Sequence, residues 1–176
     1  HAGPHVHSLK GAGVDLGPGE TASLTMNAGD VVQLFTAGTS KSQTWAGSTV
    51  TATAPVQVIT GSPCTTVPDA TIACDHLEET VLPAETLGQE YAVTVPRTPM
   101  GLAGTPHGGT HVVRIHGVHD GTTLTYDPPT ISDKTTLDRG DVLELVDVVE
   151  DFVVKGTDAF AVTHYMIGQG DPAKPQ

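Results

Sequence analysis

The feature that most constrains this chain is a recurring pattern of short β-branched runs cut off by glycine or proline. Threonine and valine account for 26 and 21 of the 176 residues, and 20 glycines and 13 prolines punctuate them. β-Branched side chains are stiff at χ1 and fit a pleated surface better than a helix, while glycine and proline end regular elements. The pattern predicts an all-β chain, an antiparallel β-sandwich. Aromatics are only 4% of residues against 38% apolar in total, so its core must come from Val, Ile, Leu and Ala. The length suits one domain, 1–176, or a piece of a larger one.

Several strands can be read from this pattern. Val50, Ala52 and Ala54 alternate with Thr49, Thr51 and Thr53, the period of two expected where one face meets a core. Pro55 cannot donate to a ladder and marks an edge, a bulge or a break. Glu90 to Pro96 reads as another strand. His111 to Val118 and Thr122 to Tyr126 flank His119-Asp120-Gly121, and Asp-Gly between β-rich runs predicts a hairpin. One helical turn is expected at Asp75-His76-Leu77-Glu78, where Asp75 caps and Glu78 reaches back.

Two segments resemble each other internally. Asn27-Ala28-Gly29-Asp30-Val31 and Asp138-Arg139-Gly140-Asp141-Val142 share an Asx-x-Gly-Asp-Val pattern leading into apolar residues. An Asx residue opens a turn, glycine takes the positive-φ position, and a strand comes next. These segments define repeat-like halves, 14–64 and 120–169, joined by a segment 62–110 that holds both cysteines. Arg139-Gly140-Asp141 also spells the tripeptide that integrins read. Its counterpart keeps Gly29-Asp30 after Ala28, so the turn already accounts for Gly-Asp.

Cys64 and Cys74 are the only cysteines. A bridge between them would close a short proline-stiffened loop, worth about 3 kcal/mol in the chain-entropy model, and would place the protein in an oxidising compartment. Two free thiols, or half of a zinc site, are the alternatives; zinc would want partners that no Cys-x-x-Cys pair supplies. The formal charge of −12 repels phosphate backbones and anionic headgroups, which argues against nucleic acid and membrane-surface partners. No run approaches the apolar length of a membrane helix. A start at His1, without Met or an apolar leader, fits a processed mature terminus or an excised fragment.

Cys64-Thr65-Thr66-Val67-Pro68, Ala73-Cys74-Asp75-His76-Leu77-Glu78-Glu79 and Leu87-Gly88-Gln89-Glu90-Tyr91 together resemble the IgGFc-binding protein N-terminal domain family, whose pattern is a Cys-loop-Cys-Asp-His motif followed by an acid, a proline and an aromatic-glycine pair. His111 to Ile115 with Asp120 to Leu124, and Asp158 to Val162, are similar to later parts of that pattern. Leu87 stands where the family has tryptophan, and Thr80-Val81 interrupts its Gln-Leu-Pro-Pro run. The resemblance implies an exported, non-catalytic recognition module, with Asp75, His76 and Glu78 as its motif residues beside the cysteines.

Other constellations suggest chemistry of their own. His107, His111, His116 and His119 are candidate transition-metal ligands, but His111 and His116 are an odd number of residues apart and would leave a flat strand on opposite faces. His1 with His5 or His7 could chelate copper through the terminal amine, as a copper-dependent polysaccharide monooxygenase does. Asp69, Asp75, Glu78, Glu79 and Glu85 could hold calcium in an adhesive module. No nucleophile elbow, phosphate loop or HExxH is present. The sequence therefore predicts a secreted or cell-surface module for adhesion or assembly without a cofactor. Its partner would be a protein or glycan at a cell surface or in extracellular matrix, with self-assembly as a further mode through exposed strand edges.

Overall fold

The computed structural model describes residues 1–36, 45–68, 73–95 and 111–166. Its strands run β1 (Leu9–Gly11), β2 (Val14–Leu16), β3 (Phe35–Thr36), β4 (Ile59–Thr65), β5 (Asp75–Thr80), β6 (Glu90–Val93), β7 (His111–Gly117), β8 (Thr122–Asp127), β9 (Thr136–Leu137), β10 (Val142–Val148), β11 (Phe152–Gly156) and β12 (Phe160–Met166), with single 3-10 turns at Ala84–Thr86 and Pro129–Ile131. The chain is all-β, and every paired strand is antiparallel.

Two sheets, ordered β10-β7-β12 and β6-β11-β8-β9, carry the main core. Val113 and Ile115 of β7, Val148 of β10 and Phe160 of β12 pack with Val93, Leu124, Leu137, Phe152 and Val154 of the other sheet. This is sandwich packing, in which each fully buried aliphatic or Phe side chain contributes about 1.5–3 kcal/mol. Phe160 also meets Tyr91 edge-on at 5.0 Å. On β7 the alternation is visible residue by residue: Val113 and Ile115 enter the core, while Arg114 faces away and donates from Nε to Glu144, its register partner on β10, at 2.6 Å.

A smaller core of Ala2, Val6 and Leu9, flanked by Leu16, Leu34 and Trp45, lies beside the sheet ordered β2-β1-β3. It docks on the sandwich at the turn 138–141. Gly140 has φ 90°, and a Cβ there would sit 2.8 Å from Pro4 Cγ. Any side chain would be strained by its backbone and blocked by Pro4. Arg139 reaches across to donate from Nη2 to Gly47 O at 3.2 Å.

The two Asx-x-Gly-Asp turns have the same construction. Asp30 N donates to Asn27 O at 3.1 Å and Asp141 N to Asp138 O at 3.0 Å; Asn27 N donates to Asp30 Oδ2 and Asp138 N to Asp141 Oδ2; Gly29 and Gly140 both have φ 90°. Beyond the turns the two chain segments diverge. Val142 starts the seven-residue β10, whereas Val31 is 92% exposed and the chain joins a ladder only at the two-residue β3. The likeness of the halves is a likeness of turns.

Three sequence expectations need correction. The run from Ser48 to Val58 forms no strand, and Val50 lies 66% exposed: alternation creates a strand only where a neighbour supplies ladder partners, and Pro55 removes one donor. Residues 75–80 are strand β5 rather than a helical turn, because pairing with β4 sets Thr65 opposite Asp75. The strands around His119-Asp120-Gly121 are present, but β7 and β8 do not pair. β7 joins β10 and β12, and β8 joins β9 and β11, so the connection carries the chain from one layer to the other. Its polar groups turn to the 138–141 turn instead of closing a hairpin: Gly121 N donates to Asp138 Oδ1 at 2.8 Å and Asp120 Oδ1 accepts from Arg139 N at 3.0 Å.

Leu124→Ala should lower the unfolding free energy by about 2–5 kcal/mol, whereas Val50→Ala should stay within about 0.5 kcal/mol of wild type. Urea denaturation of both variants checks the placement of the core, since equal losses would put Val50 inside it.

Candidate functional site

Strands β4 and β5 form a two-stranded arm without a buried residue of its own. Such a hairpin is marginally stable in water without other support. Here the support is covalent: Cys64 and Cys74 are joined by a disulfide with their Cα atoms 5.1 Å apart, at the end of the ladder where the register shifts between Ser62 and Thr65. The link takes the place of a core for this arm. At its other end, Val81 N donates to Val58 O at 2.9 Å.

The motif acids stand on this arm in solvent. His76 and Glu78 lie on one face of β5, with His76 Nε2 3.4 Å from Glu78 Oε2. Asp75, Leu77 and Glu79 alternate onto the other face. Glu78 and Glu79 therefore diverge, Glu85 belongs to the 3-10 turn beyond the arm, and Asp69 lies outside the described residues. Among the described residues no three His, Cys, Asp or Glu side chains come together as a metal-holding group.

The histidine candidates separate in the same way. His107 lies outside the described residues. His111 is buried at the start of β7, on the core side with Val113. His116 takes the opposite face, where its Nε2 lies 3.0 Å from Thr163 Oγ1. Burial, reinforced by the nearby Arg114 charge, lowers its pKa to about 4. His119 is exposed, and its carbonyl accepts from Thr122 Oγ1 at 3.0 Å. The partner that sequence reasoning missed is His164: its ring lies 5.0 Å from His111, and burial and that neighbour lower its pKa. The β7–β12 register brings them together, and no spacing along the chain announces it.

A cleft of about 410 Å³ opens where the N-terminal unit meets the sandwich, lined by His1, His5, Asp120, Asp138, Arg139 and Asp141. Its carboxylates act mainly as backbone acceptors: Asp120 for Arg139 N, Asp138 for Gly121 N and Asp141 for Asp138 N. His5 Nε2 stands 3.5 Å from Asp141 Oδ1. The His1 amine donates to Thr49 O at 3.1 Å while its Nδ1 lies 3.2 Å from Thr21 Oγ1. Those two nitrogens would have to leave separate partners to brace a copper ion. Arg139-Gly140-Asp141 is the floor of this junction, with Gly140 buried, and not a protruding loop.

The segment after the arm acts as a tie. Tyr91 Oη accepts from Gly88 N at 2.9 Å and donates to Phe160 O at 2.8 Å; Phe160 N donates to Gly88 O at 3.1 Å. Gln89 O accepts from Gly156 N at 2.8 Å, and Gln89 Nε2 donates to Thr157 O at 3.2 Å. Leu87, in the tryptophan position, is half-buried beside this tie.

A family model described as IgGFc binding protein matches residues 3–176. No curated protein and no solved structure matches the chain.

Replacing both cysteines by serine should raise amide hydrogen exchange in 59–65 and 75–80 by at least ~10-fold while leaving β7, β8 and β11 protected; uniform loss of protection would make the bridge part of the global fold. Acid should act on His116. Its neutral form is favoured in the folded state, so the unfolded chain takes up the proton first, at about pH 6.5. Stability is then lost as pH falls from there toward about 4, by an amount on the order of 2–3 kcal/mol. Urea titrations at several pH values on wild type and His116→Gln should show a shallower acid slope in the variant.

Proposed function

The chain belongs to the IgGFc-binding protein family, and from that membership we infer that it is a non-catalytic extracellular module that binds a protein or glycan, in adhesion or assembly, through the disulfide-pinned arm. The observation that carries this reading is the division of labour between arm and sandwich. Most of the buried apolar residues lie in the two cores, while β4 and β5 expose nearly every side chain and are held by a covalent link. A cross-linked element that adds little to the core serves to hold a surface in one shape, which lowers the ordering cost of binding. Asp75 on one face of β5, and His76 with Glu78 on the other, give the arm its polar character.

Support for a non-catalytic role comes from how the acids are used. The cleft carboxylates accept backbone N–H groups that fix the turn and the layer crossing, and those bonds hold them in place. No helix among the described residues is long and apolar enough to cross a membrane. Exposed regions of a rigid scaffold are where binding residues ordinarily lie.

The immobilised protein, tested against panels of glycans and extracellular matrix proteins at physiological salt, should show saturable capture that Glu78→Lys weakens by at least ~10-fold with Tm unchanged. Capture untouched by that charge reversal would move the site off the arm. Binding and Tm should be unaffected by added calcium or by EDTA; a rise of several degrees with calcium would favour a calcium-dependent module instead.

A further inference from the structure

Every open sheet has edges, and an unpaired edge is a template for another strand unless something blunts it. Among the described residues this chain blunts nearly all of them. β10 is broken by a bulge between Leu145 and Val148, with Asp147 at φ 62° and Glu144 beside it. β6 is a four-residue strand that begins at Glu90. β9, β2 and β3 have two or three residues each. The arm carries Pro63 on one strand and Asp75, Glu78 and Glu79 on the other.

β12 is the exception. Phe160-Ala161-Val162-Thr163-His164-Tyr165-Met166 contains no proline, glycine, Asp, Glu, Lys or Arg, and its register with β7 is unbroken over all seven residues. Phe160 shows which way the outer edge faces, since its N–H goes to Gly88 O and its carbonyl takes the Tyr91 hydroxyl. In an antiparallel strand, main-chain groups alternate in direction. Those of Val162, His164 and Met166 therefore point outward with Phe160, and those of Ala161, Thr163 and Tyr165 point to β7. The tie closes the edge at Phe160 and, among the described residues, leaves it open from Val162 onward. Met166 is 83% exposed at the open end.

We propose that the open part of β12 pairs antiparallel with β12 of a second copy of this chain, about a twofold axis at His164. This register sets Val162 opposite Met166 of the second copy and His164 opposite His164. Each facing pair exchanges both N–H···O bonds, because these residues all direct their main-chain groups outward. Charge selects the occupant. Two chains of net charge −12 repel each other along the acid-bearing edges, but β12 carries no charged side chain across this seam, so copies can approach there. The contact is isologous and closes at two, joining two three-stranded sheets into one of six. A seam this short is small for a specific interface, so the dimer is weak and concentration-dependent. The idea deepens the assembly side of the function inferred above, yet needs no foreign ligand, so its failure leaves arm-mediated binding standing.

Sedimentation velocity across a concentration series, with hydrogen exchange followed residue by residue, tests it. The expected result is a monomer–dimer equilibrium in which raising concentration slows exchange at the amides of Val162, His164 and Met166. Ala161, Thr163 and Tyr165, already bonded to β7, should hardly change. His164→Lys places like charges directly opposite each other and should raise the dimer dissociation constant by at least ~10-fold, with the monomer's dichroism and Tm as the folding control. A monomer at all concentrations, growth beyond the dimer, or protection without the alternate-residue pattern would each overturn it.

Discussion

The fold depends on holding together two sheets whose strands are rarely consecutive. From β6 to β12 the chain changes layer at every step except β8 to β9, so among the described residues the short β8–β9 ladder is the one pairing of consecutive strands within the sandwich. The core can be buried only if the crossings are fixed, and the turn 138–141 fixes several. Gly117 N donates to Asp141 O and Gly140 N to Gly117 O, while Asp120 and Asp138 tie the β7–β8 crossing to the same turn. The N-terminal unit then rests on Gly140 and is held by Arg139. A topology of such non-local pairings has a high contact order and is expected to fold slowly.

This explains what the sequence could and could not disclose. The Asx-x-Gly-Asp turns were legible because their geometry is local: an acidic side chain, a positive-φ glycine and a backbone bond within four residues. The strands at Glu90, His111, Thr122 and Val142 were legible because alternation is local too. Which strand lay beside which was not. Asp120-Gly121 supplies the chemistry of a tight hairpin, but the competing pull came from buried positions on β7 and β8, whose neighbours lie far along the chain. The same limit hid the His111–His164 contact and made Thr49 to Ala54 read as a strand, although among the described residues it forms no ladder.

For the candidate site, the cysteines were readable by elimination and by family likeness, and the bridge stands where they placed it. The conformation around it was not readable, because Asp75-His76-Leu77-Glu78 satisfies a capping pattern as well as it fills a strand. The bridge and the β4 ladder outweigh local preference: in a six-residue element, helix nucleation gains too little to compete with cross-strand pairing. The motif residues consequently stand on a strand in solvent, His76 and Glu78 on one face and Asp75 on the other, and not in a capped turn.

The distribution of acids then gains a meaning beyond solubility. A β-protein made of short strands exposes many edges, and aggregation through them would compete with any single specific contact. Asp75, Glu78 and Glu79 stand on the edge strand β5, where a like-charged copy is repelled at the distance at which main-chain pairing would start, while Glu90 and Glu144 stand on edge strands as ion pairs with Lys155 and Arg114. Repulsion of this kind acts as selection only if it is uneven. A uniformly acidic surface would make the chain monomeric, and a uniformly neutral one would make it aggregate. An acidic surface interrupted at one straight, uncharged strand, itself half-closed by the Tyr91 tie, confines association to one place and one register.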